Sequence, residues 1–213
     1  MKTEEHAERF NQMARGYTTD RYPGRGLCMQ KVLALLDPRP GDIVLDVGCG
    51  PGAQLRDLAP AIRSGYGIDP AAQMVRRAAE ESAGCANIHF YVGSTQQIPA
   101  DIRVAGVNKI FSNYAFHHLP DETKCSSIHG LSELLPADGV FILGDLMFSD
   151  DPAKHHELFD FSGYGPGPDT PAYVSALERM FRSAGLQPST HILNQLIGVI
   201  AATKSPCAKA QTA

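Results

Sequence analysis

Hydrophobic positions along the chain fall into short runs separated by polar, Gly- and Pro-rich breaks. Ile43-Val44-Leu45-Asp46-Val47 is nearly continuous in apolar residues, as a strand covered on both faces requires. Comparable runs at about Gly65 to Ile68, Ile88 to Val92, Val107 to Ser112 and Val140 to Leu143 read as further strands. Between them the pattern predicts helices at about Ala53 to Arg63, Ala71 to Ala83 and Asp121 to Leu135, with a turn-like stretch from Gly93 to Pro99. Upstream, Cys28 to Leu36 has helical spacing and stops before the breaker cluster Asp37-Pro38-Arg39-Pro40-Gly41. Strands alternating with helices about five times predict right-handed crossovers and an open, mostly parallel α/β sheet with helices on both faces. Tyr173 to Ala184 predicts another helix. Ile192-Leu193 and Ile197 to Ala201 are too close for a helical crossover, so they predict a C-terminal antiparallel hairpin and a total of seven strands.

Three segments stand outside this rhythm. Residues 1 to about 26 are polar with Phe10, Met13 and Tyr17 as punctuation, which predicts a helix, a loop at Tyr22-Pro23-Gly24 and the role of an arm or lid. The stretch 148–171 is rich in Asp, His, Pro, Gly and aromatics and is expected to cap a site. From Ser205 onward the residues are small and polar, and 205–213 is expected to be a disordered tail. Residues 1–204 are therefore expected to form a single domain, with no repeat of fixed period.

Composition agrees. With 213 residues, 43% hydrophobic and 20% charged, the chain can bury a sizeable core, which excludes collagenous, coiled-coil and disordered classes. The net charge of −4 argues against a strong nonspecific affinity for nucleic-acid backbones. Arg9, Arg15, Arg21, Arg25 and Lys31 cluster early and read as a solvated face, with a local nucleic-acid patch as the alternative. Cys28, Cys49, Cys85, Cys125 and Cys207 are odd in number and widely spaced, so neither a disulfide framework nor a closed zinc site is expected. An acidic start and the absence of a run of about 18 apolar residues lead to the expectation of a cytoplasmic protein without membrane contact.

The chemistry concentrates after the strands, where open α/β sheets bind ligands. Gly48, Gly50 and Gly52 follow the first strand and let a bulky ligand approach the backbone. Read as Gly48-x-Gly50-x-x-Ala53, the loop fits a dinucleotide pattern. Read as Asp46-x-Gly48-x-Gly50-x-Gly52, it fits a nucleoside sulfonium, whose positive charges suit a carboxylate ending the strand. An ordinary tight strand–helix turn accounts poorly for three alternating glycines. Asp69, 23 residues after Asp46, can accept both hydroxyls of a ribose or cap the next helix.

The strings Val44-Leu45-Asp46-Val47-Gly48-Cys49-Gly50-Pro51-Gly52, Gly67-Ile68-Asp69-Pro70 and Ser112-Asn113-Tyr114-Ala115-Phe116-His117-His118-Leu119-Pro120 resemble those of class I S-adenosylmethionine-dependent methyltransferases of the small-molecule type. The resemblance covers roughly residues 10 to 204 and implies a Rossmann-like fold. It also implies S-adenosyl-L-methionine as cofactor, with S-adenosyl-L-homocysteine as product. It assigns Asp46, Gly48, Cys49, Gly50 and Gly52 to the methionine moiety, Asp69 to the ribose, and Ala71 to Met74, with Pro70, to the adenine edge. Tyr17 in the arm would approach the cofactor carboxylate. The family commonly has an acidic residue after the third strand, where Gly93-Ser94-Thr95 stands here; Ser94, Thr95, Gln96 and nearby backbone then take over the adenine. Asn108 replaces a frequent Asp at the start of the fourth strand, a change expected to matter little.

In-line methyl transfer needs positioning first, and a base only where the acceptor must lose a proton. Asn113 is expected beside the methyl, and His117 and His118 are the candidate bases, His117 being slightly preferred. The alternative is a structural corner whose imidazoles satisfy backbone groups. No metal is expected: His155 and His156 would diverge by about 100° on a helix, and Asp145, Asp150 and Asp151 read as part of a polar region. The expected function is methyl transfer to a small-molecule O, N, S or C nucleophile. The alternatives are a catalytically inactive cofactor-binding module and a nucleic-acid or protein methyltransferase. Oligomeric state is open.

Overall fold

The computed structural model describes residues 3–18, 24–148 and 169–204. The sequence-derived cap over 149–168, including His155 and His156, the tail 205–213, and the positions Arg21 and Cys207 lie outside the described residues. Strands β1 (Ile43–Val47), β2 (Ser64–Asp69), β3 (Ile88–Val92), β4 (Lys109–Asn113) and β5 (Val140–Phe148) alternate with helices, followed by β6 (Ala172–Tyr173), β7 (Leu186–Ile192) and β8 (Ile197–Lys204). They form one sheet in the order β3-β2-β1-β4-β5-β8-β7, with the two-residue β6 beside the end of β5. β1 to β5 pair in parallel, and β8 runs antiparallel to both β5 and β7. The seven expected strands are present, including the hairpin; β6 is the addition.

Helices α1 (Thr3–Met13), α2 (Arg25–Leu36), α3 (Ala53–Leu58), α4 (Ala72–Glu81), α5 (Ala100–Val104), α6 (Asp121–Ser132) and α7 (Val174–Ser183) complete the described elements. None is long and apolar enough to cross a membrane. The alternating side-chain direction of the strands divides the core in two. Leu45, Ile110, Phe141 and Leu143 pack with Ile128 and Phe181 of α6 and α7. Their neighbours Val44, Phe111 and Ile142 pack with Cys28, Val32 and Leu55 of α2 and α3. This two-sided covering is why the strands read as continuous apolar runs.

The chain order reverses between β1 and β4, so the loops after these strands diverge and leave a crevice at their carboxyl ends. Asn108 has a structural task that the sequence reading discounted. Its Oδ1 accepts the Ile43 N–H at 2.8 Å and its Nδ2 donates to Asp42 at 2.9 Å, which ties the starts of β1 and β4 together.

Candidate functional site

The crevice is a partly open cleft between the loops that follow the parallel strands. The loop after β1 contributes Gly48 and Gly50 to its wall, and β2 and α4 contribute Asp69, Pro70 and Met74. Ser94 and Thr95 follow β3, and Tyr114, Ala115, Phe116 and His118 follow β4. The arm closes one side with His6, Phe10 and Tyr17.

Gly48, Gly50 and Gly52 all have positive φ, at 75°, 51° and 74°, but for different reasons. A Cβ on Gly48 would lie 2.4 Å from the Ala115 Cβ, and one on Gly52 would lie 2.6 Å from the Phe90 ring. Packing therefore accounts for two of the three glycines, contrary to the sequence reading. A Cβ on Gly50 would meet no protein atom within 4 Å, so the space it faces is that of the cleft.

Asp69 combines its two expected roles. Its carboxylate accepts the Gly50 N–H at 2.9 Å and the Ala71 N–H at 2.8 Å, fixing the glycine loop to the start of α4. Burial pushes its pKa up to about 6 in spite of these two bonds. Each oxygen keeps a second lone pair for a ligand hydroxyl. Asp46 lies behind the wall, 2% exposed. Burial and then the Asp69 charge push its carboxyl well up, against the pull of Arg25. Cys49 and Gly52 likewise are not among the wall residues.

The arm is fastened to α4: Arg77 Nη1 donates to the Ala14 and Tyr17 carbonyls, both at 2.8 Å, and Asn11 accepts the Gln73 N–H at 2.9 Å. Tyr17 reaches the cleft, where its hydroxyl accepts from Arg25 Nη1 at 2.6 Å. Arg25 lies 5.6 Å from the ring centroids of both Tyr17 and Tyr114. Its Nε is buried without a hydrogen-bond partner among the described residues. Sequence reasoning had grouped Arg25 with a solvated face; only its place beside Gly24 at the start of α2 marked it out. Asn113, expected beside the methyl, is not a wall residue. It is buried at the end of β4, and neither polar atom of its amide has a partner among the described residues.

Ser94 and Thr95 are on the wall, and their hydroxyls already have partners. Ser94 Oγ accepts the Gln97 N–H at 3.2 Å, and Thr95 Oγ1 lies 2.5 Å from Ser127 Oγ.

After β4 the backbone passes through Tyr114 with φ 59°, a costly conformation for a bulky residue, and enters the 3-10 turn Phe116–His118. This turn separates the two histidines. His118 is on the cleft wall, whereas His117, the preferred candidate, stands behind it at 3% exposure. His117 Nδ1 lies 2.5 Å from Asp145 Oδ1, and its backbone N–H donates to Asp145 Oδ2 at 2.9 Å. His118 Nδ1 lies 2.7 Å from Asp169 Oδ1. These ring nitrogens meet carboxylates, not the backbone groups of a purely structural corner. Burial and then the neighbouring His117 push the His118 pKa down to about 4, against the pull of Asp169, so its ring is uncharged near neutral pH.

Asp145 and Asp169 were missed as partners because they are 28 and 51 residues away in the chain. Where no metal-ligand set was expected, the structure gathers one: single donor atoms of His117, His118 and Asp169 all lie within 4.8 Å of one another.

A family profile described as a methyltransferase domain matches residues 44–139. An uncharacterized methyltransferase of Bacillus pumilus is 27% identical over 93% of this chain and 89% of its own length. One from Bacillus cereus is 30% identical over 76% of this chain and 77% of its own. Magnesium protoporphyrin IX methyltransferase from Synechocystis, crystallised with bound S-adenosylhomocysteine, superposes with a TM-score of 0.67 at 20% identity, covering 85% of this chain and 83% of that one. The sheet with its crevice beyond β1 and β4 is that of the Rossmann-like class I methyltransferases. The chain belongs to the methyltransferase family.

Proposed function

We infer that the protein transfers a methyl group from S-adenosylmethionine to an O, N, S or C nucleophile of a small molecule. The observation that carries this reading is Gly50, a left-handed glycine facing open cleft while its N–H is held by the buried carboxylate of Asp69. A nucleoside ligand fits this arrangement. The remaining lone pairs of Asp69 accept ribose hydroxyls, and Gly50 leaves room beside the backbone. Pro70 and Met74 flank the adenine, with Ser94 and Thr95 at its rim. The amino-acid end lies along Gly48 and Gly50, with Cys49 and Gly52 shaping the loop from behind the wall. Its ammonium favours the ionised form of Asp46, which burial otherwise disfavours, and its carboxylate meets Tyr17 and the unsatisfied Nε of Arg25. Asn113, buried at the end of β4, backs the wall from behind Tyr114 and Ala115.

When bound, the cofactor supplies an electrophilic methyl on sulfur. The protein orients the acceptor along the line of displacement and removes its proton where one must leave. His118 meets the acceptor from the wall, and His117, braced by Asp145, stands behind it as a positioning residue. A mainly apolar cleft walled on one side by the arm favours a metabolite-sized acceptor over a polymer. Free Cys28, Cys49, Cys85 and Cys125 are in keeping with a reducing, cytoplasmic setting.

Calorimetric titration of the purified chain with S-adenosylmethionine, S-adenosylhomocysteine and NAD tests the reading. The expected result is saturable micromolar binding of the first two and none of NAD. Binding of NAD alone overturns it. Adenosyl binding with no S-adenosylhomocysteine formed across an acceptor screen favours the inactive-module alternative.

A further inference from the structure

We propose that His117, His118 and Asp169 bind a divalent first-row transition metal ion at the acceptor end of the cleft, where the ion holds the heteroatom to be methylated. This rests on the methyltransferase reading and assigns the histidine corner its part in it. Two imidazoles and one carboxylate are a ligand set for ions of the Zn²⁺, Fe²⁺ and Co²⁺ class, while Mg²⁺ and Ca²⁺ prefer oxygen alone.

The donor atoms, all within 4.8 Å of one another, need to draw together about one ion. Ligands about 2.1 Å from one ion are about 3.0 Å apart at right angles and about 3.4 Å apart in a tetrahedron. His118 Nδ1 and Asp169 Oδ1 are 2.7 Å apart, so they need to separate by only a few tenths of an ångström to admit an ion. Adjacent histidines on an α-helix would diverge, but the 3-10 turn brings the His117 and His118 ring centroids to 3.9 Å.

Two further observations point the same way. Asp145 meets His117 Nδ1, as in the carboxylate–histidine–metal arrangement that orients ligating imidazoles. His6, 8% exposed on the cleft wall, has its ring centroid 5.2 Å from that of His118, and its Nδ1 has no hydrogen-bond partner among the described residues. Hydrogen bonding between the two His–Asp pairs leaves that nitrogen unexplained. A ligand or ion-bound water in the space beside His118 gives it a partner.

Because His6 and His118 line the cleft, an ion beside them keeps an open position toward the acceptor. Coordination acidifies the acceptor X–H, whose proton passes to solvent. The X–C bond then forms with the electron pair of X as the S–C bond breaks onto sulfur, with no net oxidation or reduction.

The test uses the untagged full chain, stripped with a chelator. Zn²⁺ is titrated against a chromophoric chelator, Co²⁺ is followed by its visible absorption, and S-adenosylhomocysteine binding is measured on the metal-free protein. The expected result is one equivalent of Zn²⁺ with a Kd below about 1 μM, weakened at least ten-fold in Asp169→Asn and His118→Gln, while both variants still bind S-adenosylhomocysteine. Absence of saturable Zn²⁺ binding overturns the proposal, as does equal affinity in both variants. An intense thiolate-to-Co²⁺ charge-transfer band also overturns it, by assigning the ion to cysteines. Loss of S-adenosylhomocysteine binding in the wild type with Zn²⁺ binding intact overturns the cofactor reading and leaves the metal site standing.

Discussion

Gly50 and Gly48 separate, at single positions, the demands of ligand and fold. In Gly50→Ala the new Cβ touches no protein atom, so the variant bears only left-handed strain of about 1 kcal/mol, or about 2–4 °C in Tm. Affinity for S-adenosylhomocysteine is expected to fall at least ten-fold, because the methyl enters the ligand's space. Gly48→Ala instead drives a Cβ against Ala115 and is expected to lower Tm further than Gly50→Ala, as thermal melts of the two variants will show.

If Asp69 holds the ribose as proposed, cofactor binding should depend on pH. In the folded chain its pKa is about 6, above the roughly 3.9 of an unfolded aspartate. The folded state therefore holds the extra proton between these values. Stability from this residue falls as pH rises from about 4 to about 6, by on the order of 3 kcal/mol, and does not return above that. Ribose hydroxyls donate to the ionised form, so affinity should rise about ten-fold from pH 5 to pH 7 and then level off. Calorimetry across this range should find the rise in the wild type and its loss in Asp69→Asn.

Among the elements, α4 holds the arm that follows α1. Arg77 donates to two arm carbonyls and lies 2.5 Å from Glu81, whereas Arg76 on the same helix pairs only with exposed Glu80. Removing Arg77 leaves the two carbonyls without their charged donor and loosens the wall formed by Phe10 and Tyr17. Arg77→Ala should weaken S-adenosylhomocysteine several-fold, mainly through faster dissociation, and Arg76→Ala should leave it unchanged; stopped-flow dissociation measures both.

Elements also differ in how plainly the chain announces them. β1 was legible to the residue, because burial on both sides makes a strand apolar throughout, and β3, at the sheet edge, was legible from its short run of β-branched and aromatic residues. α5 was not, since its five residues bury only Ile102 and give no period to detect. β5 reads as ending at Leu143, because Gly144 and Asp145 look like a break. It continues to Phe148 because the Asp145 carboxylate receives the N–H groups of His117 and Leu146, and so is satisfied while buried. β7 begins at Leu186 despite Pro188, which an edge strand tolerates.

At the scale of the whole molecule, the sequence alone determined the mostly parallel sheet, the alternation of strands and helices, and the place of the glycine loop after β1. Each depends on residues close together in the chain, where a run, a period or a spacing is visible. Only the tertiary structure decided which histidine faces the cleft, since a 3-10 turn and not a helix carries the pair. It alone brought Asp145 and Asp169 to their imidazoles and turned Arg25 from a presumed surface charge into a wall of the site. These partners are joined by the parallel order of β4 beside β5 and by the return of the chain at Asp169. Contacts that close loops of 28 and 51 residues depend on how strands pair in space, and no local pattern records them.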